Sequence, residues 1–332
     1  MKGCRLAAIA VFVCSGPLCA QTVKDAPLVA LLEAGRYAEA ERAATARIAA
    51  RPDDIDGYAA LTLSVLNGDD ATQREAALKL LEARAARLPQ AAMCNYGVGS
   101  VLGAQALSQG MLKALGSAGR IRDALARAVE LDPLLYAARN ALVQFYLVVP
   151  GIAGGSVAKA REIANAASAR QPEHARLLVA LVDIAQKKHE QAELGLAAVR
   201  AGDDRELAAD VAEVWAQLGF TYLNDKQDAK ARAVFERMVR DRPSSPRGHY
   251  GLGRVLTDAG QFDQAIAAFE RAAALDRSAG LPIDYRAGLA YQAKGDRDKA
   301  RTLLARFVST GKGNPKNIDD AKKRLAQMAE AS

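Results

Sequence analysis

Aromatic side chains make up only 5% of the 332 residues, with a single Trp, and the chain has three His and four Cys. Each shortage excludes something. The histidines, His174, His189 and His249, are scattered, whereas a zinc site needs three or four ligands that converge at short spacing. Few aromatics and a formal charge of only +7 argue against the basic, stacking surface that nucleic-acid binding uses. Cys4, Cys14 and Cys19 all lie within the first twenty residues, so a chain beginning at residue 21 keeps only Cys94 and forms no internal disulfide. Cys94 sits in AAMCNYGVG with no histidine near it to act as an activating base, and reads as a small buried hydrophobe. No apolar run beyond Ala20 approaches the ~20 residues of a membrane span.

The first twenty residues, MKGCRLAAIAVFVCSGPLCA, have a separate logic. Lys2 and Arg5 give a charged start, Leu6 to Val13 an apolar run, and Ser15-Gly16-Pro17 a break before Leu18-Cys19-Ala20. That is the anatomy of a secretory signal peptide with cleavage after Ala20. A lipid-modified cysteine is poorly matched, because Cys19 follows Leu18 and Cys14 follows Val13. Loss of Lys2 and Arg5 lowers the formal charge from +7 to +5, a mildly basic surface.

Ala, Leu and Arg dominate the remainder, a composition that favours helix. Residues 212–245 read VAEVWAQLGFTYLNDKQDAKARAVFERMVRDRPS. Trp215, Leu218, Gly219 and Tyr222 fall at W-x2-L-G-x2-Y spacing, followed by Ala231, Phe235 and Pro243. His249, Leu252, Gly253, Leu256, Ala265 and Phe269 repeat the pattern, and Gly288, Tyr291, Ala300 and Leu304 repeat it again. Gly219 and Ala231 are the small residues at which two helices can approach closely, the larger residues fill the space around them at helical spacing, and Pro243 stops the second helix. The pattern resembles the tetratricopeptide repeat family, whose unit is a 34-residue helix–turn–helix. The resemblance implies an all-α, right-handed superhelical solenoid that binds protein or peptide partners.

Upstream, Pro52, Pro89, Pro133 and Pro172 continue the series as helix terminators. Ala40, Ala77 and Ala160 precede three of them by twelve residues, while Ile121 stands in that place before Pro133. The spacings between these prolines, 37, 44 and 39 residues, predict insertions between the helices of their units. The organisation expected is a signal peptide over 1–20, repeats with insertions over 21–134, degenerate repeats over 135–211, clear repeats over 212–314, and a polar capping helix over 315–332. That makes seven or eight units.

The segment GIAGGS, within PGIAGGS at 150–156, interrupts this helical text. It has neither the Lys-Ser/Thr of a phosphate-binding P-loop nor a strand with G-x-G-x-x-G before it. It reads as a connection between helices at about 135–147 and 157–170, with Pro150 stopping one, glycines supplying positive φ, and Ser156 capping the other. The insertion over 103–125 together with PGIAGGS resembles a subgroup of exported bacterial tetratricopeptide proteins, which implies export but no particular activity. An alternative function is an accessory or carrier protein that holds a small anionic ligand on loop 150–156.

The acidic pairs Asp53-Asp54, Asp69-Asp70, Asp203-Asp204 and Asp319-Asp320 fall at helix junctions or starts, where carboxylates cap helices, and they stand whole repeats apart. No constellation for catalysis, metal or cofactor emerges. What the resemblance implies instead is a concave face lined by the first helix of each unit. Its inner positions, counted from the motif glycine, are −6, −3, +1 and +4. They hold Glu213, Ala216, Phe220 and Leu223; then Arg247, Tyr250, Arg254 and Thr257; then Pro282, Tyr285, Leu289 and Gln292. Phe220, Arg247, Tyr250, Arg254, Tyr285 and Gln292 are the candidate groove residues for an extended peptide with an acidic group. The Lys and Asn residues of the carboxylate clamp found in chaperone-docking repeats are absent from these places. The expected protein is a non-catalytic scaffold, periplasmic or secreted, with a protein or peptide partner and no nucleic acid.

The export reading has a direct test. Intact-mass and N-terminal analysis of the exported chain should find Gln21 first and no acyl group; a retained Met1 or a lipid on Cys19 would overturn it.

Overall fold

A computed structural model of the chain describes residues 23–68, 70–109, 111–275, 280–311 and 313–330; the proposed signal peptide and its cleavage point lie outside them. Among the described residues there are seventeen α-helices, one short 3-10 turn and no strand. Sixteen of the helices form eight successive pairs, and the seventeenth follows them. The pairs are α1 (Ala26–Glu33) with α2 (Tyr37–Ala50), α3 (Ile55–Asn67) with α4 (Ala71–Arg87), and α5 (Ala92–Gln109) with α6 (Met111–Leu131). Next come α7 (Tyr136–Val148) with α8 (Val157–Asn165) and α9 (Pro172–Ala185) with α10 (His189–Ala198). The last are α11 (Arg205–Asn224) with α12 (Asp228–Asp241), α13 (Pro246–Asp258) with α14 (Phe262–Leu275), and α15 (Ile283–Lys294) with α16 (Arg297–Ser309), before α17 (Pro315–Glu330). This is an all-α helical repeat fold.

Helix ends follow local chemistry. The side chains of Asp25, Asp54, Asp70, Ser156, Ser245 and Asp296 each accept a hydrogen bond from a first-turn amide of the helix they precede. Asp204 accepts from the Leu207 amide at 2.9 Å in the same way. Pro52, Pro89, Pro133 and Pro243 each stand two residues past the end of a second helix. Pro172 does not. It opens α9 at its first turn, where a missing N–H is harmless, and α8 stops early at Asn165.

The extra residues upstream are disposed in two ways. Between α7 and α8 they form the glycine-rich loop, as its composition predicts. In the pair α5 and α6 they lengthen the helices to 18 and 21 residues instead of forming a long loop between them. The segment GAQALSQGMLKALGSAGRIRDAL is rich in strong helix formers, and its glycines at 103, 116 and 119 meet nothing within 4 Å, so neither propensity nor packing breaks the helix there.

The described residues fall into two compact units that divide between Val211 and Ala212, within α11. In the first, Arg139 is buried at 4% exposure and holds the α7–α8 pair together by donating to the carbonyls of Ile163 (3.0 Å) and Pro133 (2.8 Å). In the second, Tyr222, Phe235, Phe269 and Leu304 are enclosed completely, and Ala231, Ala265 and Ala300 lie beneath them. Trp215 is also buried, with the Arg237 guanidinium 4.4 Å above its ring.

The motif glycines are there because nothing larger fits. A Cβ on Gly219 would lie 2.7 Å from Cζ of Phe235, and one on Gly251 would lie 2.1 Å from Cε1 of the same ring. Phe235 is enclosed and cannot yield without moving a helix. Gly219→Leu and Gly251→Ala should each cost roughly 1–3 kcal/mol by overpacking. Gly116→Ala, in a helix with nothing near, should be neutral or gain about 0.5–1 kcal/mol. Thermal or urea melts distinguish these outcomes; no loss at Gly251 would mean that the pairing of α12 with α13 is wrong.

Candidate partner-binding face

The six candidate groove residues all belong to the second compact unit: Phe220 on α11, Arg247, Tyr250 and Arg254 on α13, Tyr285 and Gln292 on α15. They do not form one exposed stripe. The −3 row is closed: Ala216, Tyr250 and Tyr285 are 1%, 4% and 6% exposed. The Tyr250 ring lies 6.0 Å from Phe220 and 5.9 Å from Phe269, in edge-on and tilted contacts. Tyr285 packs 5.3 Å from Phe307 and donates its hydroxyl to Oδ2 of Asp320 at 2.8 Å. The expectation that these tyrosines face a ligand is therefore corrected: the Tyr250 ring is enclosed between Phe220 of the preceding pair and Phe269 of its own, and the Tyr285 ring against Phe307 of its own pair.

Two further candidates are already committed. Arg247 pairs through Nε with Glu213 at 2.6 Å, across α13 and α11. Gln292 accepts from the Arg324 guanidinium at 2.8 Å. Phe220 and Arg254 remain, both half-buried, with the guanidinium 5.4 Å above the Phe220 ring. They share the +1 register with half-buried Leu289, so Phe220, Arg254 and Leu289 repeat one position on three successive first helices. Arg286, one residue off the expected stripe, lies near enough to Arg254 for the two charges to interact. Its position at −2 hid it from a count that admitted only four places per helix.

The glycine-rich loop is built differently from an anion cradle. Gly151–Ala153 form a 3-10 turn, Gly154 takes φ +100°, and a Cβ on Gly155 would meet the Val149 carbonyl oxygen at 1.6 Å. Only Gly154 needs positive φ; Gly155 is required for close backbone approach. The amides of Ala153, Gly154, Gly155 and Ser156 all donate within the segment, to Pro150, Gly151, Pro150 and Tyr146 carbonyls respectively, and Lys159 N donates to Ser156 Oγ. Those donors are spent on shaping the connection.

Cys94 is 2% exposed, and burial pushes its thiol up to about 12, so it stays protonated and unreactive. Among the described residues no group of three or more His, Cys, Asp or Glu is placed to hold a metal ion, and no helix is long and apolar enough to cross a membrane.

Models of the tetratricopeptide repeat match residues 227–280 and 284–310. The chain thus carries tetratricopeptide repeats over these residues. Proteins of this kind are, as a rule, scaffolds for protein–protein interaction. No curated protein matches the sequence. Solved structures similar to it include a tetratricopeptide repeat protein from Parabacteroides merdae, 13% identical over 80% of this chain and 96% of that one, with a TM-score of 0.49. Pseudomonas aeruginosa pilF is 18% identical over 69% of this chain and 97% of that one, TM-score 0.45. Yeast Tom70 is 13% identical over 85% of this chain and 65% of that one, TM-score 0.49.

One polar cluster of the first compact unit escaped the sequence entirely. The α11 helix of this repeat protein starts at Arg205, well before the motif, and carries buried Glu206 and half-buried Asp210, the latter bonded to α7. Asp210 accepts from the Tyr136 hydroxyl at 2.6 Å and from Asn140 at 3.2 Å, and Asn140 in turn accepts from Gln144. His174 lies against the Tyr136 ring, 4.3 Å between centroids, with Asp204 3.4 Å from its Nε2. Burial above all, with the neighbouring carboxylates, pushes Glu206 up to about 8 and Asp210 to about 6, although the Tyr136 hydrogen bond acts against the second shift.

Both carboxyls thus hold protons in the folded chain that the unfolded chain releases above its ordinary carboxylate range. The stability they confer is complete at acid pH and is lost as pH rises through their folded values. The thermal midpoint of the first unit should therefore fall between about pH 5 and pH 8, and Glu206→Gln should flatten the upper part of that decline. A midpoint that rises over the same interval would show that these groups are ionised in the fold.

Proposed function

We propose that the chain is an exported, non-catalytic tetratricopeptide scaffold, periplasmic or secreted, that holds a protein or peptide along the first helices of its 212–330 region. The observation that carries the reading is the +1 row: an aromatic, a cation and an aliphatic side chain, Phe220, Arg254 and Leu289, at one register on α11, α13 and α15, all half-buried. An extended chain meets such a row as a series of separate anchors, and partly desolvated aromatic and arginine side chains are the commonest hot spots of interfaces. Phe220 and Leu289 are backed by the core of the unit, so little side-chain entropy is lost when a partner covers them. Export is supported by the signal-like first twenty residues. The carrier reading centred on loop 150–156 finds less support, since the amides of Ala153, Gly154, Gly155 and Ser156 are already occupied.

The mature full-length chain, cross-linked in the exported fraction of its own cell, should capture a partner. Thr257→Glu with Leu289→Glu places one carboxylate on the row and another one turn along α13 from Arg254, and should lower capture at least about tenfold with an unchanged circular dichroism spectrum. Ile152→Asp, at a loop position 95% exposed, should leave capture intact. Capture lost with Ile152→Asp and retained with the double variant would move the site to the glycine-rich loop.

A further inference from the structure

Most arginines around the first helices of the second unit have carboxylate partners. Arg247 has Glu213 at 2.6 Å, Arg324 has Asp320 at 2.6 Å, and Arg306 holds both oxygens of Asp284 at 2.5 and 2.6 Å. Arg254 and Arg286 do not fit this rule. Among the described residues neither donates a hydrogen bond to, or pairs with, any side chain or carbonyl, and the Nε of each is closed to solvent with no acceptor. Each guanidinium lies instead over an aromatic face, Arg254 over Phe220 at 5.4 Å and Arg286 over Tyr285 at 5.5 Å.

That arrangement is unfavourable for the fold taken alone. Burial and the Arg286 charge both disfavour the charged form of Arg254, against weaker opposition from Tyr250 and Asp258. A buried N–H without an acceptor loses its hydration and gains nothing in return. Two such donors on adjacent first helices, with two like charges close together, describe a place prepared for an oxyanion, and planar guanidinium forks match carboxylate geometry.

We propose that Arg254 and Arg286 form one subsite for the carboxylate of a Glu or Asp side chain in an extended peptide. The proposal rests on the reading of the +1 row as a peptide-binding face and adds the chemistry of its centre. A peptide source is favoured over a free anion by the flanks: half-buried Phe220 and Leu289 lie on the neighbouring first helices, so the row suits a segment with an acidic residue between apolar ones. The subsite differs from a docking charge on a solvated rim, because its donors are partly desolvated before the ligand arrives.

The test uses the mature full-length chain and two matched arrays of 12-residue peptides. The first carries randomised Glu, Asp and apolar residues, and the second has Gln and Asn in place of the acids. The expected result is retention of acidic members with an apolar residue on each side, with their amide counterparts at least about tenfold weaker. Arg254→Gln with Arg286→Gln should erase the difference. The same double variant should melt no lower than the parent, because it removes two unmatched charges; a fall of several degrees would show the guanidiniums to be structural and overturn the proposal. Equal retention of acidic and amide peptides, lost with Thr257→Glu and Leu289→Glu, would overturn the carboxylate subsite and leave the peptide face standing. No retention on either array would overturn both. Competition by millimolar sulfate, without discrimination between the arrays, would assign the pair to a free anion instead and overturn the peptide source.

Discussion

Phe235 is fully enclosed between α11 and α13, with Gly219 of its own pair on one side and Gly251 of the next on the other. A single side chain thereby fixes two helix contacts, and both demand a residue without Cβ. The same joint recurs along the chain. Gly253 faces Phe269, Gly288 faces Leu304, Gly99 faces Leu125 and Gly97 faces Leu81, with the bulky partner always on a second helix. Gly97 and Gly99 on α5 thus repeat the offset of Gly251 and Gly253 on α13: the first of each couple meets the preceding pair, the second its own. Because close approach is a steric condition with little tolerance, this joint sets which residues the repeat cannot vary. Helix lengths, loops and surface charges are free to change around it.

That freedom explains what could and could not be read from the sequence. Small residues, large residues and terminal prolines occur at fixed offsets wherever the joint is intact, so the pairs from α11 to α16 are visible from residue order alone. Ile121, where the pattern calls for Ala, sits in a joint that still closes because Leu125, four residues on, meets Gly99. Extra residues in the pair of α5 and α6 were legible as an insertion but not as longer helices, since a proline spacing counts residues without saying what they form. Pro172 was misread for a related reason: proline ends one helix or begins the next equally well, and only the early stop of α8 decides between them.

The binding face was legible as a stripe and misjudged in width. Positions −6 to +4 on a first helix cover a broad arc, and each neighbouring pair overlaps part of it. Tyr250 and Tyr285 lie under that overlap, so helical periodicity alone could not separate them from Phe220, Arg254 and Leu289. Arg286 was missed from the opposite direction, at an offset the stripe omits. Glu206 and Asp210 precede the repeat motif, and acidic residues in a junction are expected to cap a helix; the burial of Glu206 and the contact of Asp210 with α7 follow from α11 being twenty residues long.

The distribution of charge says more about recognition than its total. Around the second unit most guanidiniums are neutralised within the chain, and a partner can gain little from them beyond weak, screened attraction. Arg254 and Arg286 stand apart because their Nε atoms are closed to solvent while, among the described residues, no carboxylate hydrogen-bonds or pairs with them. A neutral ligand laid across them would complete their desolvation and return nothing, whereas a carboxylate would replace the lost water with charged hydrogen bonds. Discrimination then comes chiefly from the penalty on the wrong ligand. A groove with few aromatics and a mild net charge can be selective on that basis, and the selectivity resides in two side chains rather than in the composition of the face.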